Sequence, residues 1–253
     1  HIYADYYCRS IGFGVSEEQA DRIAKTIEQK IEEGRSDSYT EEYFKLVVFN
    51  GASEEQAEEW AEAYERKRKE GRSNMYSEYY YKSIACKLSE EQADRMAGIC
   101  EQKFKEYSSG YYVEEYFRFI TIFKASDKQA EEGARIYETR IWKGKSKAYS
   151  EYYSRLIVLD GMSEENAEKM AEIFEQKGIE GRGSLYSDYY CRRLIISKVN
   201  EAQADREATI YERKINEGKD HDYSCMYSYL VVVDGASEEQ ASQILSLCEQ
   251  KKN

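Results

Sequence analysis

A repeating unit of 36 or 37 residues is the feature that most restricts what this chain can fold into. One copy, from Tyr149 to Gly181, reads YSEYYSRLIVLDGMSEENAEKMAEIFEQKGIEG. Similar segments fill the 253-residue chain, and seven copies align on a leading tyrosine: Tyr3, Tyr39, Tyr76, Tyr112, Tyr149, Tyr186 and Tyr223. A period of this length is typical of repeat proteins, in which each copy packs on its neighbours. No linker or compositional shift interrupts the series, which predicts one helical array over residues 1–253.

The sequence of each copy predicts two helices. Positions in each helix are numbered from one landmark residue. The leading tyrosine is position a0 of the first helix. A capping residue 13 or 14 positions later is position b0 of the second helix: Ser16, Ser53, Ser89, Ser126, Ser163, Asn200 and Ser237. Ser53 followed by Gln56 has the pattern of a capping box, which predicts a helix start. Glycines predict where five of the second helices stop, at Gly34, Gly71, Gly144, Gly181 and Gly218; Tyr107 takes this place in the third copy.

Apolar residues recur at helical spacing in both halves of a copy, for example at Ala167, Met170, Ala171 and Phe174. A helix–turn–helix hairpin of this kind cannot bury its apolar faces alone. The sequence therefore predicts an all-α fold, an α-solenoid of seven stacked hairpins. The period and hairpin pattern resemble the tetratricopeptide and pentatricopeptide classes of repeat. The Trp, Gly and Pro signature of tetratricopeptide repeats is absent, so the resemblance implies architecture alone.

Charge and composition restrict the partners. The formal net charge is −12 and the pI about 5.0, which disfavours binding to nucleic acid or to anionic membranes and favours cationic partners. The sequence contains no run of the ~20 apolar residues that a membrane span needs. Secretion and a cytoplasmic location both stay open, because a start at His1 is also compatible with removal of a signal peptide.

Three rows of residues recur at fixed positions. Tyrosines at a0 and a4 are interpreted as packing residues, since aromatic stripes at helical spacing usually pack. A basic row at a6 comprises Arg9, Lys45, Lys82, Arg118, Arg155 and Arg192. An acid stands four residues before each base, which predicts ion pairs within the helix rather than a row that binds phosphates. The seventh copy loses both members together, with Cys225 and Tyr229 in their places.

A glutamate row occupies position b12: Glu28, Glu65, Glu101, Glu138, Glu175, Glu212 and Glu249. Bases follow at b14: Lys30, Lys67, Lys103, Arg140, Lys177, Lys214 and Lys251. We interpret the two rows as a partly buried network with tyrosine hydroxyls between copies. A row of carboxylates for divalent cations is the alternative, although no calcium-binding loop motif is present.

Positions that vary between copies are the candidates for contact with a partner. Position a3 holds tyrosine in some copies and glutamate or methionine in others, and phenylalanine appears at a5 where a3 is glutamate. The aromatic side chain thus moves rather than disappears. The candidate partner-binding residues on this edge of the first helix are Tyr6, Glu42, Phe44, Tyr79, Glu115, Phe117, Tyr152, Tyr189 and Met226.

Signals for catalysis, metals and cofactors are lacking. The six cysteines form no CxxC or zinc-ligand pattern and read as free thiols, although a disulfide between Cys225 and Cys248 is conceivable. The two histidines are His1 and His221, the second predicted in a loop between copies. Together they could hold copper if the N-terminus is native and the array curls back. We expect no enzyme, no catalytic residue, no metal site and no cofactor.

Three functional hypotheses follow. The first is a non-enzymatic scaffold that binds a protein or peptide along one face. The second is a structural protein that self-associates into fibres or a matrix, which would make the chain its own partner. Single-stranded nucleic acid, read one copy at a time as by pentatricopeptide-like arrays, is the third, and the negative charge disfavours it.

Overall fold

The computed structural model describes residues 2–250, with side chains from residue 2 to residue 248, and every regular element in this range is a helix. The all-α class expected from the sequence is confirmed. Two compact units divide the chain, residues 1–126 and residues 127–253. Within each unit, successive helices pack against each other in chain order. No helix in residues 2–250 has both the length and the apolar character needed to cross a bilayer.

Seven helices form the described part of each unit. The first unit contains α1 (Ile2–Gly12), α2 (Glu17–Glu32), α3 (Asp37–Val48), α4 (Glu54–Lys69), α5 (Asn74–Ala85), α6 (Glu90–Tyr107) and α7 (Gly110–Thr121). The second contains α8 (Asp127–Trp142), α9 (Lys147–Val158), α10 (Glu164–Ile179), α11 (Ser184–Cys191), α12 (Glu201–Asn216), α13 (His221–Val232) and α14 (Glu238–Gln250). A π-helical segment, Arg192–Ile196, continues α11. The odd-numbered helices are the first helices of the copies, and the even-numbered helices are the second.

Helix starts follow the capping residues recognised in the sequence. The Gln56 amide donates to Ser53 Oγ at 3.2 Å, and the Ser53 amide donates to Gln56 Oε1 at 3.1 Å, which confirms the capping box. First helices are capped in the same way, as where the Tyr39 amide donates to Ser36 Oγ at 3.2 Å. Each bond satisfies an amide that has no partner within the helix.

Helix ends explain the exception in the third copy. Gly34 ends its helix in the left-handed region, with φ 85°, where glycine has no Cβ to clash. In the third copy α6 continues through Tyr107, and Ser108 takes the left-handed conformation with φ 53°. The Tyr107 ring stacks on Tyr112, with centroids 4.1 Å apart. Tyr107 thus stands at the position of the glycine in other copies, and its ring contact accompanies the longer helix.

The core of each copy combines small and large residues. Alanines at b4 and b8 are fully buried in the first six copies, for example Ala167 and Ala171. Their small side chains allow close approach of the first helix, where Tyr149 and Leu156 are also fully buried. The tyrosines at a0 and a4 stack in pairs, as at Tyr149 and Tyr153 with 6.0 Å between centroids. The interpretation of this tyrosine row as packing is confirmed.

Candidate functional site

Three bases of the a6 row link the first helices of successive copies. Arg9 on α1 donates to both carboxylate oxygens of Glu41 on α3, at 3.0 and 2.8 Å. Lys82 lies 2.9 Å from Glu114, and the same register joins Arg155 to Asp188 across the next pair of first helices in the second unit. In these three pairs the acid at a2 of one copy is the partner of the base in the copy before it, whereas Lys45 and Arg118 contact the glutamate at a3 of their own helix.

Ion pairs within the helix, which the sequence predicts, are only part of this arrangement. Lys82 also contacts Glu78 at 2.9 Å, whereas Arg9 reaches Asp5 only at 3.8 Å. The prediction of ion pairs within the helix was incomplete, because spacing along one helix does not show which groups a neighbouring helix presents.

Charge and burial act in opposite directions on these groups. Hydrogen bonds from Arg9 hold the pKa of Glu41 below its usual value. Burial opposes the charge of Lys82, but Glu114 and Glu78 outweigh it and raise the pKa of the ammonium group. Both groups are therefore charged near neutrality, and the pairs hold neighbouring first helices in register.

The candidate residues at a3 and a5 meet one another between copies. The Tyr6 ring lies 5.3 Å from Phe44, and the Tyr79 ring lies 5.3 Å from Phe117, each centroid to centroid. Position a3 of one copy thus packs on position a5 of the following copy. Within one copy, position a3 therefore faces the following copy and position a5 faces the preceding copy.

Two further candidates, Tyr152 and Tyr189, occupy equivalent interfaces. Tyr152 donates a hydrogen bond to Asp188 at 2.7 Å, and the Tyr189 hydroxyl lies 2.9 Å from Ser228 Oγ. Eight of the nine candidates are buried, and the ninth, Met226, is 51% exposed. The buried candidates are Tyr6, Glu42, Phe44, Tyr79, Glu115, Phe117, Tyr152 and Tyr189. The aromatic candidates thus form contacts between copies, and a direct role of the nine residues in partner binding stays a prediction.

The bases at b14 lie over tyrosine rings of the next copy. Lys67 lies 4.4 Å from the centroid of the Tyr80 ring, and Arg140 lies 3.9 Å from that of Tyr153. A second cation sits over the leading tyrosine, as Arg72 does over Tyr76 at 4.6 Å. Such cation–π contacts stabilise by roughly 0.5–2 kcal/mol each, depending on solvent access.

The glutamates at b12 act within a copy. The Ser36 amide donates to Glu65 at 3.1 Å, and the Ser73 hydroxyl donates to Glu101, so each carboxylate holds the start of its own first helix. Within residues 2–248, no cluster of three or more histidine, cysteine or acidic side chains is placed to hold a metal ion. The side chain of Glu249, together with Lys251 and His1, lies outside the described residues.

An acidic groove opens on the first unit where α1, α3 and α5 approach one another. Its volume is about 700 Å³. Carboxylates of Asp5, Asp37, Glu41 and Glu42 line it together with Tyr6, Tyr64 and one base, Lys45. Arg9 and Lys45 partly neutralise Glu41 and Glu42, whereas Asp5 and Asp37 are exposed. Two of the nine candidate residues, Tyr6 and Glu42, contribute to the wall.

One histidine–cysteine pair was missed in the sequence. His221 is the first residue of α13 rather than a loop residue, and its Nε2 lies 3.5 Å from Cys225 Sγ one turn later. Burial and then Asp222 raise the pKa of the Cys225 thiol, so the thiol is protonated near neutrality and is not an activated nucleophile. The spacing His-x-x-x-Cys on a helix was the signal for this contact. Cys225 and Cys248 are both free thiols in the structure, and Cys248 is exposed.

Comparison with known proteins finds no matching family model, no matching curated protein and no matching solved structure.

Proposed function

We propose that the seven copies form one α-solenoid and that the protein is a non-enzymatic scaffold for a protein or peptide partner. Repetition of the same inter-copy contacts supports the solenoid. The pair Arg9–Glu41 in the first unit and the pair Arg155–Asp188 in the second use identical register positions. Contacts repeated between nearest neighbours are the basis of stability in repeat arrays.

The observation that carries the binding function is the acidic groove of the first unit. Its volume of about 700 Å³ accommodates several side chains of an extended segment. The carboxylates of Asp5 and Asp37 are exposed at its edge, and the aromatic side chains of Tyr6 and Tyr64 form part of its wall. A lysine or arginine side chain fits this combination, since its aliphatic stem covers aromatic surface while its charge meets a carboxylate. The partner segment is therefore a cationic peptide.

Peptide binding with neutralised groove residues tests this function. The double variant Asp5→Asn with Asp37→Asn removes two exposed charges at the groove. We expect it to weaken binding of basic peptides from a random lysine- and arginine-rich library by about tenfold or more, because charge-assisted hydrogen bonds are lost. Fluorescence anisotropy at a fixed salt concentration measures the dissociation constants.

A matched control separates the groove from overall charge. The double variant Glu17→Gln with Glu18→Gln removes two exposed carboxylates at the start of α2, and neither lines the groove. It should leave the affinity within about twofold of the parent. Equal weakening in both variants, or no binding of any basic peptide by the parent, would contradict the proposal.

Self-association is the second candidate, favoured by an exposed aromatic pair. Phe13 and Phe49, both at position a10, are 57% and 53% exposed, and their rings meet edge to face at 4.6 Å. Exposed aromatic clusters often mark contact surfaces. If a second molecule of this protein covers the pair, light scattering at rising concentration should show an increase in mass. The double variant Phe13→Ser with Phe49→Ser should abolish that increase. A constant monomer mass would exclude this alternative.

A further inference from the structure

One type of groove recurs along the second unit, between the second helix of a copy and both helices of the next copy. Equivalent register positions line it each time. In the groove between α10, α11 and α12 the charged residues are Glu172, Lys177 and Glu201, beside the ring of Tyr190 and Leu194. Acidic residues exceed basic ones there. The related groove of the first unit has five carboxylates against three bases in its lining.

The groove between α8, α9 and α10 has the opposite sign. Its charged residues are Arg135, Arg140, Lys143 and Glu164, beside Tyr153 and Ile157. Three bases therefore face one carboxylate in a chain whose net charge is −12. Its volume is about 270 Å³, which is smaller than the volume of either of the two acidic grooves of this type. The small size suits one charged group rather than a long segment.

Lys143 is the residue that changes the sign. It stands at position b17, where the other five copies that reach this position have glutamate: Glu33, Glu70, Glu106, Glu180 and Glu217. Each of these glutamates contacts the base at b14 three residues earlier, at 2.7 to 4.0 Å. In α8 the same spacing places Lys143 beside Arg140, and like charges on one helix face repel.

A neighbouring position has changed together with Lys143. The residue at b13 is glutamine in three of the five copies with glutamate at b17 and donates to that glutamate, as Gln176 does to Glu180 at 3.2 Å. In α8 this residue is Thr139, whose hydroxyl donates to the Arg135 carbonyl of its own helix at 2.7 Å. The glutamine that donates to the b17 glutamate in those copies is therefore absent where Lys143 replaces the glutamate, whereas the base at b14 is kept as Arg140.

Arg140 is held in place at this groove. Its guanidinium lies over the Tyr153 ring at 3.9 Å and contacts Glu168 at 3.0 Å. Lys143, in contrast, makes no ion pair with any residue in the described range. One fixed cation and one unneutralised cation thus border the same small groove, whose floor is an aromatic ring and an isoleucine.

We propose that the groove between α8, α9 and α10 is an anion-binding site that takes a single oxyanion group, a carboxylate or a phosphate. The group can come from free phosphate or from an acidic side chain of a bound polypeptide. An oxyanion there would neutralise Lys143 and lie beside Arg140, in the place where Glu180 contacts Lys177 in the next copy. This site is separate in residues and opposite in sign from the acidic groove of the first unit.

Calorimetric titration at constant ionic strength tests the site with two probes, inorganic phosphate and acetylated, amidated tetraglutamate. The parent protein should bind at least one of them. Binding of phosphate alone identifies a free oxyanion as the source, and binding of the peptide alone identifies a polypeptide. Failure of both probes to bind overturns the proposal.

The decisive variant is Lys143→Glu, which gives α8 the residue of the other copies. We expect the affinity to fall at least about tenfold, because one contact to the anion becomes a repulsion. The fold should be unaffected, since the new carboxylate can pair with Arg140 three residues earlier as its equivalents do; circular dichroism checks this. Lys169→Glu is the matched control, because it makes the same charge change at an exposed position of α10 outside the groove.

Two further outcomes decide the proposal. An affinity unchanged by Lys143→Glu, or an equal loss in Lys169→Glu, would show that only overall charge matters and would overturn it. The reciprocal double variant Glu172→Arg with Glu180→Lys gives the groove between α10, α11 and α12 the charges of its neighbour. A second bound anion per chain in that variant supports the assignment, whereas a stoichiometry unchanged from the parent counts against it.

Discussion

Interior tyrosines hold neighbouring copies together through their hydroxyl groups as well as their rings. Tyr76 donates to Asp94 at 2.8 Å, and Lys67 from the preceding copy reaches the same carboxylate oxygen at 2.8 Å. Burial, then the hydrogen bond to Asp94, raises the pKa of Tyr76 to about 12. The phenol is therefore a hydrogen-bond donor at every physiological pH, and its bond to Asp94 links the two helices of its copy. The contact of Lys67 with Asp94 joins this copy to the preceding one.

The hydroxyl of Tyr39 provides a comparison. It occupies the same register position as Tyr76 but is buried without a hydrogen-bond partner among the described residues. We expect Tyr76→Phe to lower the free energy of unfolding by about 1–2 kcal/mol, because Asp94 loses a donor, and Tyr39→Phe to change it little or raise it. Urea denaturation measures both. Equal destabilisation of the two variants would mean that the hydroxyls contribute only through packing.

The pair Arg9–Glu41 predicts a dependence of stability on pH. Because the pKa of Glu41 is depressed in the folded chain, its contribution is complete above the ordinary carboxylate pKa and is lost as pH falls through the depressed value. Glu41→Gln should therefore show a smaller loss of stability than the parent between about pH 6 and pH 3. Urea midpoints at the two pH values provide the measurement, and an identical loss in both proteins would contradict this role.

At the scale of a helix, the π-helical segment of the sixth copy coincides with an exchange of core residues. Arg193 at a7 contacts Glu207 at b7 at 2.6 Å, and the Glu207 side chain is fully buried. The equivalent residues of the fifth copy, Leu156 and Met170, are fully buried and apolar. An ion pair thus replaces an apolar contact, and removal of both charges from water opposes the gain from their attraction.

Single and double replacements of this pair should differ sharply. Arg193→Leu or Glu207→Met alone leaves one charge without its oppositely charged partner and should cost about 3–5 kcal/mol of unfolding free energy. The double variant Arg193→Leu with Glu207→Met reproduces the fifth copy and should be about as stable as the parent or more stable. Denaturant titration of all four proteins measures the coupling. A double variant less stable than either single variant would show that the ion pair is a net source of stability.

At the scale of the whole molecule, the helices within each unit pack mainly on their neighbours in sequence. Stability in such a chain is close to a sum of local terms, so damage in one copy should stay local. Hydrogen–deuterium exchange of Arg193→Leu should show faster exchange in α11–α14 and unchanged exchange in α1–α6. Uniformly faster exchange along the chain would mean that it unfolds as one cooperative unit.

Local features of the fold were predictable because they depend on residues close in sequence. The capping box at Ser53, the glycine stop at Gly34 and the helical spacing of Ala167 and Ala171 all act within one or two turns. Hydrogen bonds to free helix ends and burial of one helix face determine these features before any tertiary contact forms. The candidate site was less predictable, since eight of the nine candidates are buried and only two of them, Tyr6 and Glu42, border the acidic groove.

The repeating sequence by itself determined the all-α class, the period of 36 or 37 residues and the capping of the helices. Only the tertiary structure decided that Arg9 pairs with Glu41 of the next copy, that Tyr79 packs on Phe117, and that bases surround the groove at Lys143. The physical reason is that these contacts depend on which faces of neighbouring helices meet. Spacing along one helix places a side chain on a face, but the partner of that side chain comes from another helix.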